Sequence, residues 1–175
     1  MRMLFAAAAA IALAVPAVAA DSVKLTGENT KITWVGTKPG GKHEGGFKTL
    51  TGTATVSEGE LAKVEVEIDT DSLYSDDQRL TGHLKSPDFF GVKTNPKAKF
   101  VSTKVEKADK GVTITGDLTL NGKTKSISFP ATVSNTGGTL KIDGAVTIDK
   151  RDFGMTYGGG KIDDQVAIKV AVEAK

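Results

Sequence analysis

Few side chains in this sequence can do chemistry. There are two His, His43 and His83, no Cys, and 21 Asp+Glu against 23 Lys+Arg. The absence of Cys removes thiol nucleophiles, thiolate metal sites and disulfides together. The two His stand forty residues apart, each outside any strand-like stretch. Either would need a nucleophile or carboxylate brought to it by the fold before it could act as an acid or base. No HExxH, no His pair at i and i+4 and no acidic calcium loop accompanies them, which argues against a metal or any other cofactor. His43 lies in the glycine-rich run Lys38-Pro39-Gly40-Gly41-Lys42-His43-Glu44-Gly45-Gly46. That run leads into a strand and lacks a Gly-Lys-Ser/Thr end, so nucleotide binding is rejected. For His43 three readings stay open: a structural hydrogen bond, a ligand contact at a rim, and a metal ligand. With no G-x-S-x-G and no evident triad order, an enzyme is not expected.

The arginines say more. Beyond residue 20 the chain has twenty Lys but only two Arg, Arg79 and Arg151, and Arg is chosen over Lys where a planar, bidentate donor is needed. Either each clamps a carboxylate and ties the chain together, or each meets the polar end of an amphiphile. Phe89-Phe90 follows the turn-forming Ser86-Pro87-Asp88. Adjacent rings on a helical turn diverge, so at least one is expected to pack inward, as a core plug or as part of a lipid tunnel.

The elements that must position these groups are strands. Apolar and polar residues alternate strictly at Val64-Glu65-Val66-Glu67-Ile68-Asp69, and again within 112–120, 140–148 and 166–172, the pattern of half-buried antiparallel strands. Weaker candidates cover 22–26, 31–37, 47–57, 99–106 and 123–133, giving eight or nine in all. Turn residues separate them, and Asn121-Gly122 predicts a two-residue type I′ hairpin. From Asp71 to Asn95 the rhythm breaks into two expected helical turns. One starts at the capping box Ser75-Asp76-Asp77-Gln78, the other at Ser86-Pro87. Alternation alone fits a sandwich or a closed barrel, and a barrel of about eight strands holds one small ligand. The inward set Val66, Ile68, Ile114, Leu118, Ile142, Val146, Ile148, Ile168 and Val170 would make that ligand apolar.

Met1 to Ala20 carries one charge, Arg2, an apolar run from Leu4 to Val15, and the small-residue end Ala17-Val18-Ala19-Ala20. This is the pattern of a cleaved signal peptide, so we expect a leader over 1–20, one domain over 21–175 and a periplasmic location. The run is short of the 20 or so residues a stable membrane anchor needs. The formal net charge of +2 and the lack of a basic block argue against nucleic acid.

Several motifs in order resemble the YceI-like family of exported proteins: His43 to Phe47; Asp76-Asp77-Gln78-Arg79-Leu80-Thr81-Gly82-His83-Leu84-Lys85-Ser86-Pro87-Asp88-Phe89-Phe90; Asn95-Pro96; Phe100-Val101-Ser102; Gly116 to Thr124; and Arg151-Asp152-Phe153-Gly154. Gly91 and Asn95 depart from the acid and the aromatic the family often has there. The resemblance implies an all-β fold, an eight-stranded antiparallel lipocalin-like barrel with a short helical insertion. It also implies binding of a polyisoprenoid, a quinone or a fatty-acid-like amphiphile in the barrel. The positions it carries over are His43, Arg79, His83, Leu84, Phe89, Phe90, Phe100, Leu118, Arg151 and Phe153. Trp34, Phe47, Val66, Ile68, Ile114, Phe129, Val146 and Ile148 complete the candidate ligand-binding set. A homodimer is left open. The competing reading is a non-lipid stress-response or interaction domain with a filled barrel, against which Gly116, Gly144 and Ala145 are expected to leave room inside.

Overall fold

A computed structural model describes residues 20–175. The expected leader lies outside the described residues except for Ala20, the first residue of β1. The strands are β1 (Ala20–Thr26), β2 (Thr30–Lys38), β3 (Gly41–Phe47), β4 (Leu50–Ser57), β5 (Glu60–Asp69), β6 (Leu73–Ser75), β7 (Lys97–Lys107), β8 (Val112–Leu120), β9 (Lys123–Thr136), β10 (Thr139–Asp149) and β11 (Gln165–Ala174). Among the described residues one α-helix, α1 (Gln78–Leu84), lies between β6 and β7, and two short 3-10 turns cover Thr70–Ser72 and Lys150–Phe153.

Alternation does the expected work. On β5, Leu61, Val64, Val66 and Ile68 are buried while Glu60, Lys63 and Glu67 are exposed, which hides one face and wets the other. The β4–β5 register shifts by one residue at Thr55/Val56, where Ala62 of β5 is left over, and the β7–β8 register shifts likewise at Ser102/Lys104; such bulges add local twist and help a sheet curl. Asn121 and Gly122 both take positive φ, 48° and 71°, the backbone a type I′ hairpin requires.

All pairings are antiparallel in one sheet of order β1-β4-β5-β7-β8-β9-β10-β11-β2-β3-β6. The order puts β1 at one margin and β2 near the other, beside β3 and the edge strand β6, yet the three residues Gly27-Glu28-Asn29 join β1 to β2. Only Lys48 and Thr49 join β3 to β4, which are likewise far apart in the order. Turns that short force the two margins together, so the sheet curls into a lipocalin-like partial barrel. At the seam Gly27 lies against the Lys48 carbonyl, where a side chain would not fit. The apolar core, including Leu25, Ile114, Leu140 and Phe153, lies inside the curl.

Three expectations are corrected. Among the described residues there are eleven strands instead of eight, because the glycine-rich run read as a loop is strand β3, the stretch read as one strand over 47–57 turns at Lys48-Thr49, and β6 adds three residues. Helix α1 is capped by Asp77, whose side chain accepts from the Leu80 backbone N–H, and not by Ser75. Ser75 instead donates to the Asp77 carbonyl. The segment from Ser86 is a set of turns, closed by Gly91 N–H to the Ser86 carbonyl and by Phe90 N–H to Leu84, with Gly91 at φ 52°.

Candidate functional site

The curled sheet encloses a cavity of about 230 Å³. All nine residues of the inward set line it, which fixes the register of every strand that carries them, since a slip of one residue would turn them out. Of the candidate site residues, Trp34, His43, Phe47, Val66, Ile68, Leu84, Phe89, Phe90, Phe100, Ile114, Leu118, Phe129, Val146, Ile148 and Phe153 line the cavity. Both rings of the Phe89-Phe90 pair do so; Phe90 packs edge-on against Phe47 at 5.7 Å.

Arg79, His83 and Arg151 are outside the lining. Arg79 is exposed and forms no ion pair among the described residues, so it clamps no carboxylate there. His83 stands one layer out: its ring meets Phe89 at 5.1 Å and Tyr157 at 4.6 Å, both edge-on. Arg151 is the clamp. Its Nε and Nη2 reach the two oxygens of Asp149 at 3.0 and 2.6 Å, and its Nη1 reaches Asp164 at 3.2 Å. The side-chain fork and then the Arg151 backbone N–H hold the Asp149 carboxyl down at about 2, and the same fork raises the guanidinium.

The room expected from small inward residues is used differently. Phe100 lies over Gly116, where a Cβ would come 2.6 Å from its Cζ, and Phe129 lies over Gly144 at 2.9 Å. Ala145 is exposed. Those two glycines are sockets for aromatic rings, and the cavity is what remains between the rings and the aliphatic walls.

One end of the cavity is polar, formed by Thr37 and Lys38 at the end of β2, His43 on β3, and Lys150 and Asp163 flanking the β10–β11 connection. His43 Nδ1 is 3.0 Å from Asp76, and its Nε2 is 3.1 Å from Lys38 Nζ. These partners fit a neutral ring with the proton on Nδ1. Thr37 donates to Asp163. Lys150, with a side chain only 6% exposed, is paired with Asp164. Sequence reasoning missed Lys150 and Asp163. A lysine among twenty carries no signal of burial, and its partner is fourteen residues away.

The helical insertion and the loop from Gly154 to Asp164 cover this end. Tyr157 packs on His83 and, at 5.4 Å, on Phe89. Asn95 donates to Asn121 at 2.8 Å, and Asn121 to the Phe153 carbonyl at 3.1 Å. Lys85 ties the insertion to Asp71 at 3.1 Å.

Residues 22–174 match the YceI-like domain. The chain belongs to the YceI-like family. A UPF0312 protein of Pseudomonas putida is 35% identical over 138 residues, covering 74% of this chain and 71% of that protein. The crystal structure of Burkholderia cenocepacia BcnA superposes with TM-score 0.78 at 27% identity, covering 83% of this chain and 96% of that one. A polyisoprenoid binding domain from Saccharophagus degradans implicated in plant cell wall breakdown shares the fold, with TM-score 0.68 at 15% identity over 88% of this chain and 97% of that one. Most of the motif residues thus meet at the cavity, with His83 packed behind Phe89 and Arg151 clamping the turn beside it, while Arg79 stays at the surface.

Proposed function

We propose that this protein is an exported, non-enzymatic binder that holds or carries a polyisoprenoid or similar long-chain amphiphile in its barrel. The observation that carries this reading is the cavity, walled by aliphatic and aromatic side chains, with its charged groups Lys38, His43, Lys150 and Asp163 gathered at one end. Moving apolar surface out of water contributes about 25 cal/mol per Å². A chain burying several hundred Å² would therefore offset the cost of association and bind at micromolar strength or better. The polar end suits a headgroup and the apolar body a tail. Membership of the YceI-like family supports the same reading. The leader pattern of 1–20 supports delivery to the periplasm, and among the described residues no helix is long and apolar enough to cross a membrane.

The experiment is organic extraction of protein purified from its native periplasm, with mass spectrometry of what co-purifies and sequencing of the mature N-terminus. A long-chain amphiphile at near-stoichiometric amount and an N-terminus at Ala20 or Asp21 are expected. An empty protein that also fails to take up long-chain amphiphiles would refute the binding reading, and retained Met1 on a membrane-bound species would refute export.

A further inference from the structure

The polar side chains of the cavity lining can be accounted for one by one. Thr30 donates to Asn29, Thr37 to Asp163, Lys38 and Asp76 occupy the two nitrogens of His43, and Lys150 pairs with Asp164. Trp34 is the exception. Its Nε1 is buried and has no hydrogen-bond partner among the described residues. A buried indole N–H ordinarily finds an acceptor, and leaving it unmet is costly.

The surroundings explain why the protein supplies none. Trp34 pairs across the sheet with Ile168 on one side and Gly45 on the other, so both neighbours share its face. Ile168 is apolar. Gly45 has no side chain, and its bareness makes space for the indole, because a Cβ there would stand 2.6 Å from Trp34 Cζ2. His43, the next inward residue along β3, has both nitrogens engaged. The indole lies one inward step from the Gly36–His43 pair, about 7 Å along the strand from the polar end. A charged group at that depth would lose its hydration without a counter-ion. An uncharged oxygen loses far less on burial, and the indole N–H replaces the hydrogen bond it gives up.

Resting on the amphiphile-binding reading above, we propose that Trp34 is a specificity-determining residue: its indole N–H donates to an uncharged oxygen of the bound molecule. The site then selects chains that carry a carbonyl, ether or hydroxyl oxygen inside the barrel over bare hydrocarbon of the same length.

The test uses two probes, geranylgeranylacetone, an isoprenoid methyl ketone, and the hydrocarbon in which its carbonyl is replaced by a methylene. Affinities are measured by calorimetry for the wild type and for Trp34→Phe, which keeps a ring and removes the donor. Trp34 is the single Trp of the chain, so the indole N–H also gives one identifiable nuclear magnetic resonance signal. The wild type should prefer the ketone about tenfold, or about 1.4 kcal/mol, the preference should collapse in Trp34→Phe, and the indole proton should move downfield with the ketone alone. Equal binding of both probes with an unmoved indole signal would overturn the proposal, as would a ketone preference that survives in Trp34→Phe. If neither probe binds, the amphiphile-binding reading itself falls and takes this proposal with it. The resonance shift in the wild type decides the matter even if the variant folds poorly.

Discussion

Ile114→Asp probes the interior most directly. Ile114 is 2% exposed, lines the cavity, and is flanked across the sheet by Val105 and Phe129, so no cation faces it from either neighbouring strand. Truncating a buried Ile costs about 2–5 kcal/mol. The new carboxyl adds a second, pH-dependent cost. Desolvation raises its pKa by as much as about 3–5 units above a reference near 3.9, so it stays protonated in the folded protein at pH 7 while the unfolded chain ionises above about pH 4. In that window the folded state binds more protons than the unfolded state, and stability therefore falls as pH rises. Over about three pH units at about 1.36 kcal/mol each, the additional loss is about 4 kcal/mol. The total, roughly 6–9 kcal/mol at pH 7, is comparable to the whole stability of an ordinary domain. At about 2–4 °C per kcal/mol for a chain of this size, melting should drop by roughly 4–20 °C at pH 4 and by a further 8–16 °C or so at pH 7. Circular dichroism melts across this range, with Ile114→Asn as the uncharged control, read the effect. Parallel pH profiles for the two variants would refute the placement of Ile114 in a dry interior.

Arg151→Lys should lower the melting temperature slightly above pH 4, because Lys cannot reproduce the fork on Asp149. That contribution is present above the ordinary carboxyl range and is lost as pH falls through about 2, where Asp149 protonates, so the gap between the two melting curves should close between pH 4 and 2. Gly45→Ala should cost about 1–3 kcal/mol through overpacking, first against the Tyr74 carbonyl and then against Trp34 and the backbone of Ser75, and a thermal melt together with the near-ultraviolet dichroism of the lone Trp would register it. Tyr157→Ala removes the exposed ring that joins the 154–164 loop to His83 and Phe89. We expect stopped-flow release of a bound chain to speed up several-fold while melting moves little, and an unchanged release rate would show that this contact does not hold the cover in place.

The sequence made the strand faces readable because side-chain period is an unambiguous signal where Val, Ile and Leu alternate with charge, as on β5. It failed where that signal is physically missing. Gly41, Gly45 and Gly46 have no side chain to display a period, so β3 looked like a loop, although at Gly45 the Tyr74 carbonyl and the Trp34 indole occupy the space of a side chain. The two caps competed within three residues, and Asp77 won because its carboxylate reaches the Leu80 N–H while Ser75 is held in β6. Gly116 and Gly144 looked like free volume; only three-dimensional contacts assign that volume to Phe100 and Phe129. Of the two arginines, Arg151 has acids at positions 149 and 152 and became a clamp, whereas Arg79, with acids at 76 and 77, did not. Local sequence is identical in kind at the two places, and the difference lies in which carboxylates the turn presents.

The pairing of β2 with β11 bears on the order of folding. Strands β7 to β11 are neighbours in both chain and sheet, so that half can zip up hairpin by hairpin. β2 is different: Thr30 pairs with Val172, and nearly the whole chain must be present before that pairing can begin. Long-range pairing of this kind is slow, since loop closure precedes the contacts that reward it. Until Gln165–Ala174 arrives, β10 and β2 both present unpaired edges, the kind that recruit strands from other molecules. Pulse-labelled hydrogen exchange should show amides of β8 and β9 protected before those of β2 and β11, and simultaneous protection would contradict this order. A chain interrupted before Gln165 should then aggregate instead of remaining as a soluble fragment.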